Sequence, residues 1–182
     1  MTVATRIRYV LDQLAPHPEA GIFRHVPTST RGDLFVSPMP FGAYDKGNRL
    51  IHSYKSHHVR EVFILTDDDE IQRKTRRDLK AEYKRIGATY RQYPFQDLQA
   101  PEMVMMRDFV LHAVAGLARH NIAIHCHAGV GRTSIAVCCI LQVVEGLSPS
   151  DSLAEVRQYM EVNMTPEQKA TVLKFTPATG RA

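Results

Sequence analysis

The chain is poor in cysteine, with three in 182 residues, and their spacing matches no common zinc or disulfide framework. They are Cys126, Cys138 and Cys139, the last two adjacent in one apolar run. An odd count so placed argues against a disulfide-stapled secreted scaffold and for reduced thiols in a reducing compartment. No apolar stretch approaches the roughly 20 residues that a membrane-spanning helix needs. The N-terminus lacks a signal-peptide core: MTVATRIRYVLDQLAP alternates charged with apolar residues and reads as a short amphipathic helix. Internal repeats, low-complexity tracts and linker-like breaks in composition are lacking too. The expectation is therefore one domain, placed in the cytoplasm.

What is present is an ordinary globular composition, 44% hydrophobic and 23% charged, which supplies a core without a metal or disulfide staple. A net charge of +4 reads as a solvated surface, or as mild attraction towards acidic, phosphorylated partners. Apolar runs bounded by turn residues alternate with helical patterns, which favours an α/β layer architecture. Strands are expected at Asp33–Ser37, Glu61–Thr66, Thr89–Phe95 and Ile122–Cys126. A helix is expected over Asp69–Ile86, broken or bent inside, and another from Pro101, with Met103, Met106, Val110, Val114 and Leu117 facing the sheet. The run from Arg132 to about Glu145 is apolar on nearly every side and so belongs inside the domain. Two more helices are expected, from Pro149 to about Met160 and from near Pro166, with Ser148 and Thr165 as N-caps.

One segment carries chemistry: His125-Cys126-His127-Ala128-Gly129-Val130-Gly131-Arg132-Thr133. It reads as a buried strand, a tight loop and the start of a buried helix. Gly129 and Gly131 let successive backbone N–H groups turn inward, and the helix N-terminus adds partial positive charge. Together they make a site for a dianion such as phosphate. The Arg132 guanidinium can close that ring with a two-pronged grip on phosphate oxygens. Cys126 starts the loop, at the bottom of a positive field that favours a thiolate, and a thiolate beneath a phosphoryl group is an in-line nucleophile.

Cys-x5-Arg-Thr in the setting HCHAGVGRTS resembles the signature of the cysteine-dependent protein tyrosine phosphatase superfamily, and the compact chain looks like its dual-specificity branch. The resemblance runs from about Asp33 to about Phe175, with Ser134 standing where many members carry glycine. It implies an α/β fold with a central, mostly parallel twisted sheet flanked by helices in three layers, and a buried helix after the phosphate loop. It divides a single domain of residues 1–182 into a lead-in (1–32), a catalytic core (33–175) and a tail (176–182). It also implies a metal-independent phosphomonoesterase without cofactor, acting as a monomer through a phosphocysteine intermediate.

Leaving-group departure then needs a proton donor, which can later act as the base for hydrolysis. Asp97, in a Pro-flanked loop between a strand and a helix, resembles the family's acid and lies upstream of the nucleophile. Its rivals are Asp67, Asp68 and Asp69, which look like an N-capping cluster, and Asp108, inside a helix. By the same resemblance Thr133 donates its hydroxyl to the cysteine sulfur, and His125 tunes the thiol through local hydrogen bonds. His127, Ala128, Gly129, Val130, Gly131 and Arg132 bind the phosphate, with His127 biasing substrate choice if protonated. Gln168 resembles a glutamine that positions water. Cys138 and Cys139 lie further along the helix, and disulfide Cα atoms must come within about 7 Å, so no resolving partner for Cys126 is expected.

The expected substrates are phosphorylated proteins, phosphotyrosine first and phosphoserine or phosphothreonine as well. Lys46-Gly47-Asn48-Arg49 is only faintly similar to the loop that deepens the pocket of the large tyrosine-specific enzymes. Phosphoinositides and RNA 5′-phosphates are weaker candidates; the basic stretch Arg73, Lys74, Arg76, Arg77, Lys80, Lys84 and Arg85 suits them, though a solvated helix face explains it as well. A phosphate-binding pseudophosphatase would lack Cys126, Arg132 or Asp97, and all three are present. A sulfur-transfer enzyme fits the Arg-Thr helix start and the upstream acid loop less well.

Overall fold

The computed structural model describes residues 22–176; the amphipathic segment expected over Met1–Pro16 lies outside them. Five strands form one sheet in the order β1-β2-β5-β3-β4. They are β1 (Arg24–Val26), β2 (Leu34–Ser37), β3 (Glu61–Ile64), β4 (Thr89–Gln92) and β5 (Ile122–His125). β1 pairs antiparallel with β2, and the other neighbours are parallel. β1 was not expected from the sequence; its three residues are too short to show an alternation, and it lies upstream of residue 33, so the sheet begins before the expected core.

The central strands are apolar on both faces, as parallel strands covered by helices should be. Leu34, Val36, Phe63, Ile122 and Ile124 point into one cluster with the helices α4 (Met103–Leu117), α5 (Arg132–Val144), α6 (Pro149–Val156) and α7 (Pro166–Lys174). Phe35, Val62, Ile64 and Ala123 point into the other with α1 (Leu50–Ser56), α2 (Asp68–Thr75) and α3 (Leu79–Arg85). The result is three layers, helices on both sides of a mostly parallel sheet, as the motif implied.

The expected long helix is two, α2 and α3. Arg76 adopts φ +54°, a left-handed turn that ends α2, and Asp78 caps α3 by accepting from the Ala81 N–H. The helix expected from Pro101 starts instead at Met103. Glu102 is extended (φ −59°, ψ 136°) and serves as N-cap, leaving Pro101 outside. Met106, Val110 and Leu117 of α4 are buried, while Met103 and Val114 pack against the same cluster. Ser148 and Thr165 cap α6 and α7, each accepting the backbone N–H three residues on.

α5 has eleven buried residues in thirteen, from Arg132 to Gln142. A helix of that kind must be inserted between layers, and its N-terminus meets the carboxyl end of the central strand β5. Open α/β sheets bind ligands at that end.

Candidate active site

The loop from Cys126 to Gly131 is pinned on both sides by the strands that flank β5. The Leu65 N–H donates to the His125 carbonyl (2.9 Å) and the Met39 N–H to the His127 carbonyl (3.0 Å). The two glycines serve different needs. Gly129 has φ +78°, and a Cβ there would lie 2.8 Å from the Ser37 carbonyl and Pro38 nitrogen, so no other residue fits. Gly131 has negative φ and is the N-cap of α5; a Cβ there would press on the Asn163 carbonyl at 3.0 Å. Ser134, where glycine was the commoner expectation, ties the loop down by donating to the carbonyls of Val130 and Gly131.

Cys126 is buried, and the Gly129 N–H donates to its sulfur at 3.2 Å. Thr133 was expected to do this through its hydroxyl, but Thr133 Oγ1 is buried without a hydrogen-bond partner. Cys138 and Cys139 sit in the apolar centre of α5. Burial pushes the Cys138 thiol up to about 12 and the Cys139 thiol well above the usual range, so both remain protonated.

Arg132 shows a contact the sequence did not reveal. Its Nη1 and Nη2 donate to Oε2 and Oε1 of Glu70, each at 2.7 Å, in a two-pronged buried pair. Nη1 also donates to the Phe95 carbonyl (3.2 Å), and Nη2 lies 3.2 Å from Asp97 Oδ1. Burial works against the guanidinium charge, but the hydrogen bonds to Glu70 and the charges of Cys126, Glu70 and Asp97 keep its pKa above the ordinary value. Of five guanidinium donors, both on Nη1 and one on Nη2 are committed to Glu70 and Phe95. No hydrogen bond among the described residues engages Nε or the second Nη2 hydrogen, and Asp97 lies beside Nη2 as an ion partner.

Asp97 is 65% exposed in a turn between two anchors. Upstream, Phe95 packs in the core against Phe109, and the Tyr93 hydroxyl meets Asp108 and His112. Downstream, Gln168 Nε2 donates to the Gln99 carbonyl at 3.1 Å. Gln168 is buried rather than an exposed helical residue. Its Oε1 accepts from Thr165 N in a capping box, and it lies beside Gly131. Three of the four rival aspartates are otherwise employed, and Asp69 is exposed in the first turn of α2. Asp67 is the N-cap of α2, Asp68 is bonded to Lys80 and Gln92, and Asp108 holds Tyr93. Among them Asp97 alone reaches Arg132.

His125 is fully buried between two partners, with Nε2 2.7 Å from the Tyr83 hydroxyl and Nδ1 3.2 Å from the Cys126 carbonyl. A carbonyl can only accept, so Nδ1 carries the proton and Tyr83 donates to Nε2. Burial pushes the His125 pKa down to about 4, aided by Arg132 and opposed by the Cys126 carbonyl. A neutral imidazole cannot serve as a charged donor, so its part is to position the loop. The unfolded chain takes up this proton at higher pH than the folded one, from the ordinary 6.5. Stability from this residue is therefore complete above about pH 6.5 and erodes as the pH falls towards 4, by on the order of 3 kcal/mol. Denaturant titrations at pH 7 and pH 4.5 should show the loss, and His125→Gln should flatten it.

His127 was expected to bias substrate choice if protonated. Burial, and then Lys74, lower its pKa, which favours the neutral ring. Its Nε2 is buried without a partner, and the Tyr44 ring packs edge-on against it at 5.3 Å. Four of the seven residues in the basic stretch are engaged: Lys80 with Asp68, Arg85 with Glu82, Arg77 over the Phe41 ring and Lys84 over the Tyr90 ring. Among the described residues no group of three His, Cys, Asp or Glu side chains could hold a metal.

Residues 44–146 match the family described as "Polymorphic toxin system, DSP-PTPase phosphatase", just over half of the chain and including Asp97, Cys126 and Arg132. The chain belongs to this phosphatase family. Its members are cysteine-based phosphatases of the protein tyrosine and dual-specificity type, metal-independent phosphomonoesterases. Curated proteins gave no significant match. Among solved structures, this DSP-PTPase chain resembles kinase associated phosphatase crystallised with its catalytic cysteine changed to serine. The two share 16% identity, with a TM-score of 0.74, over 84% of this chain and 92% of that one. It also resembles PTPMT1 in complex with PI(5)P (18% identity, TM-score 0.67, 78% and 88% covered). A third similar structure is the core catalytic domain of the PP-IP phosphatase SIW14 from S. cerevisiae (15%, 0.64, 85% of each chain). At such identities these likenesses establish the fold.

The residues missed by sequence reasoning are Glu70, Tyr83 and Tyr44. Glu70 occupies the third helical position after the Asp67 cap, a common place for glutamate. Only the adjacency of β3 and β5 turns it towards Arg132.

Proposed function

We propose that this phosphatase hydrolyses phosphotyrosine in proteins, and more slowly phosphoserine and phosphothreonine, through a phosphocysteine on Cys126. The observation that carries the reading is the convergence of three groups. The Cys126 sulfur lies under the Gly129 N–H, Arg132 is fixed by Glu70, and Asp97 lies 3.2 Å from Arg132 Nη2.

Phosphate enters the loop and takes Nε and Nη2 of Arg132, which frees Asp97. The Cys126 thiolate attacks phosphorus as the P–O ester bond breaks. The electron pair stays on the leaving oxygen, which takes from Asp97 a proton that Asp97 picks up from solvent once phosphate has displaced it from Arg132. Water then attacks the phosphocysteine, gives its proton to Asp97, and the P–S bond breaks to return the thiolate. Gln168, which tethers Gln99 beside the loop, holds the Asp97 turn in place. Exposed Tyr44, packed on His127, offers an aromatic wall to an aryl ester. Residues 33–175 form the catalytic core in this reading, with β1 as an added edge strand. A reducing compartment, the cytoplasm, keeps Cys126 reduced.

The test is turnover of matched phosphotyrosine, phosphoserine and phosphothreonine peptides in the presence of a chelator. Phosphotyrosine should be hydrolysed fastest, with no loss to the chelator. Failure to turn over any phosphopeptide would overturn the reading.

A further inference from the structure

Ser37, the last residue of β2, pairs with His125 at the end of β5 and is buried, as is Tyr54 of α1. Ser37 Oγ donates to the Pro38 carbonyl at 2.7 Å and lies 2.7 Å from the Tyr54 hydroxyl. A serine has one hydroxyl hydrogen and a carbonyl can only accept, so Tyr54 is the donor in the second contact. Burial raises the Tyr54 pKa above its ordinary value, against the opposing hydrogen bond to Ser37, so the hydroxyl keeps that hydrogen. The Pro38 carbonyl and the Met39 N–H are two ends of one planar peptide unit. That N–H donates to the His127 carbonyl at 3.0 Å. The bonds therefore run in one direction, from the Tyr54 hydroxyl through Ser37 and the Pro38–Met39 peptide to the phosphate loop. Each donor in such a chain polarises the next. The same segment fills the space that a Cβ would take at Gly129, with the Ser37 carbonyl and the Pro38 nitrogen 2.8 Å from that point.

We propose that Ser37 and Tyr54 are positioning residues for the phosphate loop, holding the His127 carbonyl outward so that the Ala128 N–H faces the bound phosphate. The proposal rests on the phosphatase reading above, in which this loop binds phosphate. In a trans peptide the carbonyl and the N–H point in opposite directions, so a carbonyl drawn towards β2 turns its N–H away from β2. Were the Pro38–Met39 peptide free to rotate, the His127–Ala128 peptide could turn with it. A carbonyl oxygen, the negative end of the peptide dipole, would then meet the dianion. Tyr54 is fully buried, so it acts only through Ser37 and the backbone. The pair parallels Tyr83 and His125, which reach the Cys126 carbonyl from the same helical layer.

The experiment measures inorganic phosphate affinity by isothermal titration, with kcat and KM for a phosphotyrosine peptide, in Ser37→Ala, Tyr54→Phe and the double variant. Ser37→Ala should weaken phosphate binding and raise KM by about five- to tenfold, the scale of one lost hydrogen bond. Tyr54→Phe should do the same on a smaller scale, about two- to threefold. In the Ser37→Ala background Tyr54→Phe should cost no further affinity, because its route to the loop is already cut. The ratio of turnover between an activated aryl phosphate and the peptide should stay at the parent value, since Asp97 is untouched. Unchanged phosphate affinity in both single variants, with only thermal stability reduced, overturns the proposal and leaves the phosphatase reading standing. Additive losses of affinity in the double variant overturn the relay through Ser37. If Ser37→Ala does not fold, Tyr54→Phe keeps the ring and decides: unchanged affinity there overturns the proposal. Absence of phosphate binding in the parent protein refutes the loop reading itself, and the proposal with it.

Discussion

Cys126→Ser is expected to lower kcat for a phosphotyrosine peptide by about 10⁵-fold, on the scale seen when an enzyme loses its nucleophile. The loop concentrates positive charge on one atom, through the Gly129 N–H at 3.2 Å, the N-terminus of α5 and Arg132 nearby. A serine hydroxyl in that place ionises far less readily than a thiol and is much the weaker nucleophile towards phosphorus. The substitution removes little volume, and the new hydroxyl can still accept from Gly129. Binding should therefore survive: Arg132 and the loop N–H groups are untouched, so the serine variant should retain phosphate affinity within a few-fold. Steady-state kinetics with isothermal titration of inorganic phosphate separate the two effects. Activity within tenfold of the parent would remove Cys126 from the chemistry.

Asp97→Asn is expected to slow phosphotyrosine peptides by about 10²–10³-fold. The size of the loss should depend on the leaving group. An activated aryl phosphate departs without a proton and should lose far less, about tenfold or below, because general-acid assistance matters in proportion to leaving-group basicity. The donor arithmetic at Arg132 adds a second signature. In the resting site the Asp97 carboxylate is paired with the guanidinium that phosphate would also meet, so the neutral amide should leave KM unchanged or lower. A variant that raised KM with kcat intact would point to a binding role instead. Equivalent changes at Asp67, Asp68 or Asp108 should leave the leaving-group dependence as it is, since those side chains serve a helix cap, Lys80 with Gln92, and Tyr93.

Much of this site could be read from local sequence because its chemistry is local. Strand, loop and helix from Ile122 to Val144 are consecutive, so the apolar run, the glycines and Arg132 specify one another without reference to the rest of the chain. The same holds for the caps at Ser148 and Thr165, which accept from their own helices. What the sequence could not show depends on sheet order. Glu70 looks like an ordinary first-turn glutamate, and it meets Arg132 across 62 residues only because β3 pairs with β5. Tyr83 reaches His125 for a like reason, from a helix packed on the opposite face. Thr133 shows the converse: the family resemblance implied a bond to sulfur as the intermediate breaks down, and in the resting loop it is the Gly129 N–H that meets the sulfur. β1 and α1 went unseen because each is too short for its period to stand out.

The most direct test of the central claim is to trap the intermediate. Rapid acid quenching of the protein with a labelled phosphotyrosine peptide, followed by peptide mapping, should find one phosphoryl group on Cys126, formed and lost at rates consistent with turnover. Turnover without a phosphorylated protein, or label on His125 or His127 in place of Cys126, would contradict the account.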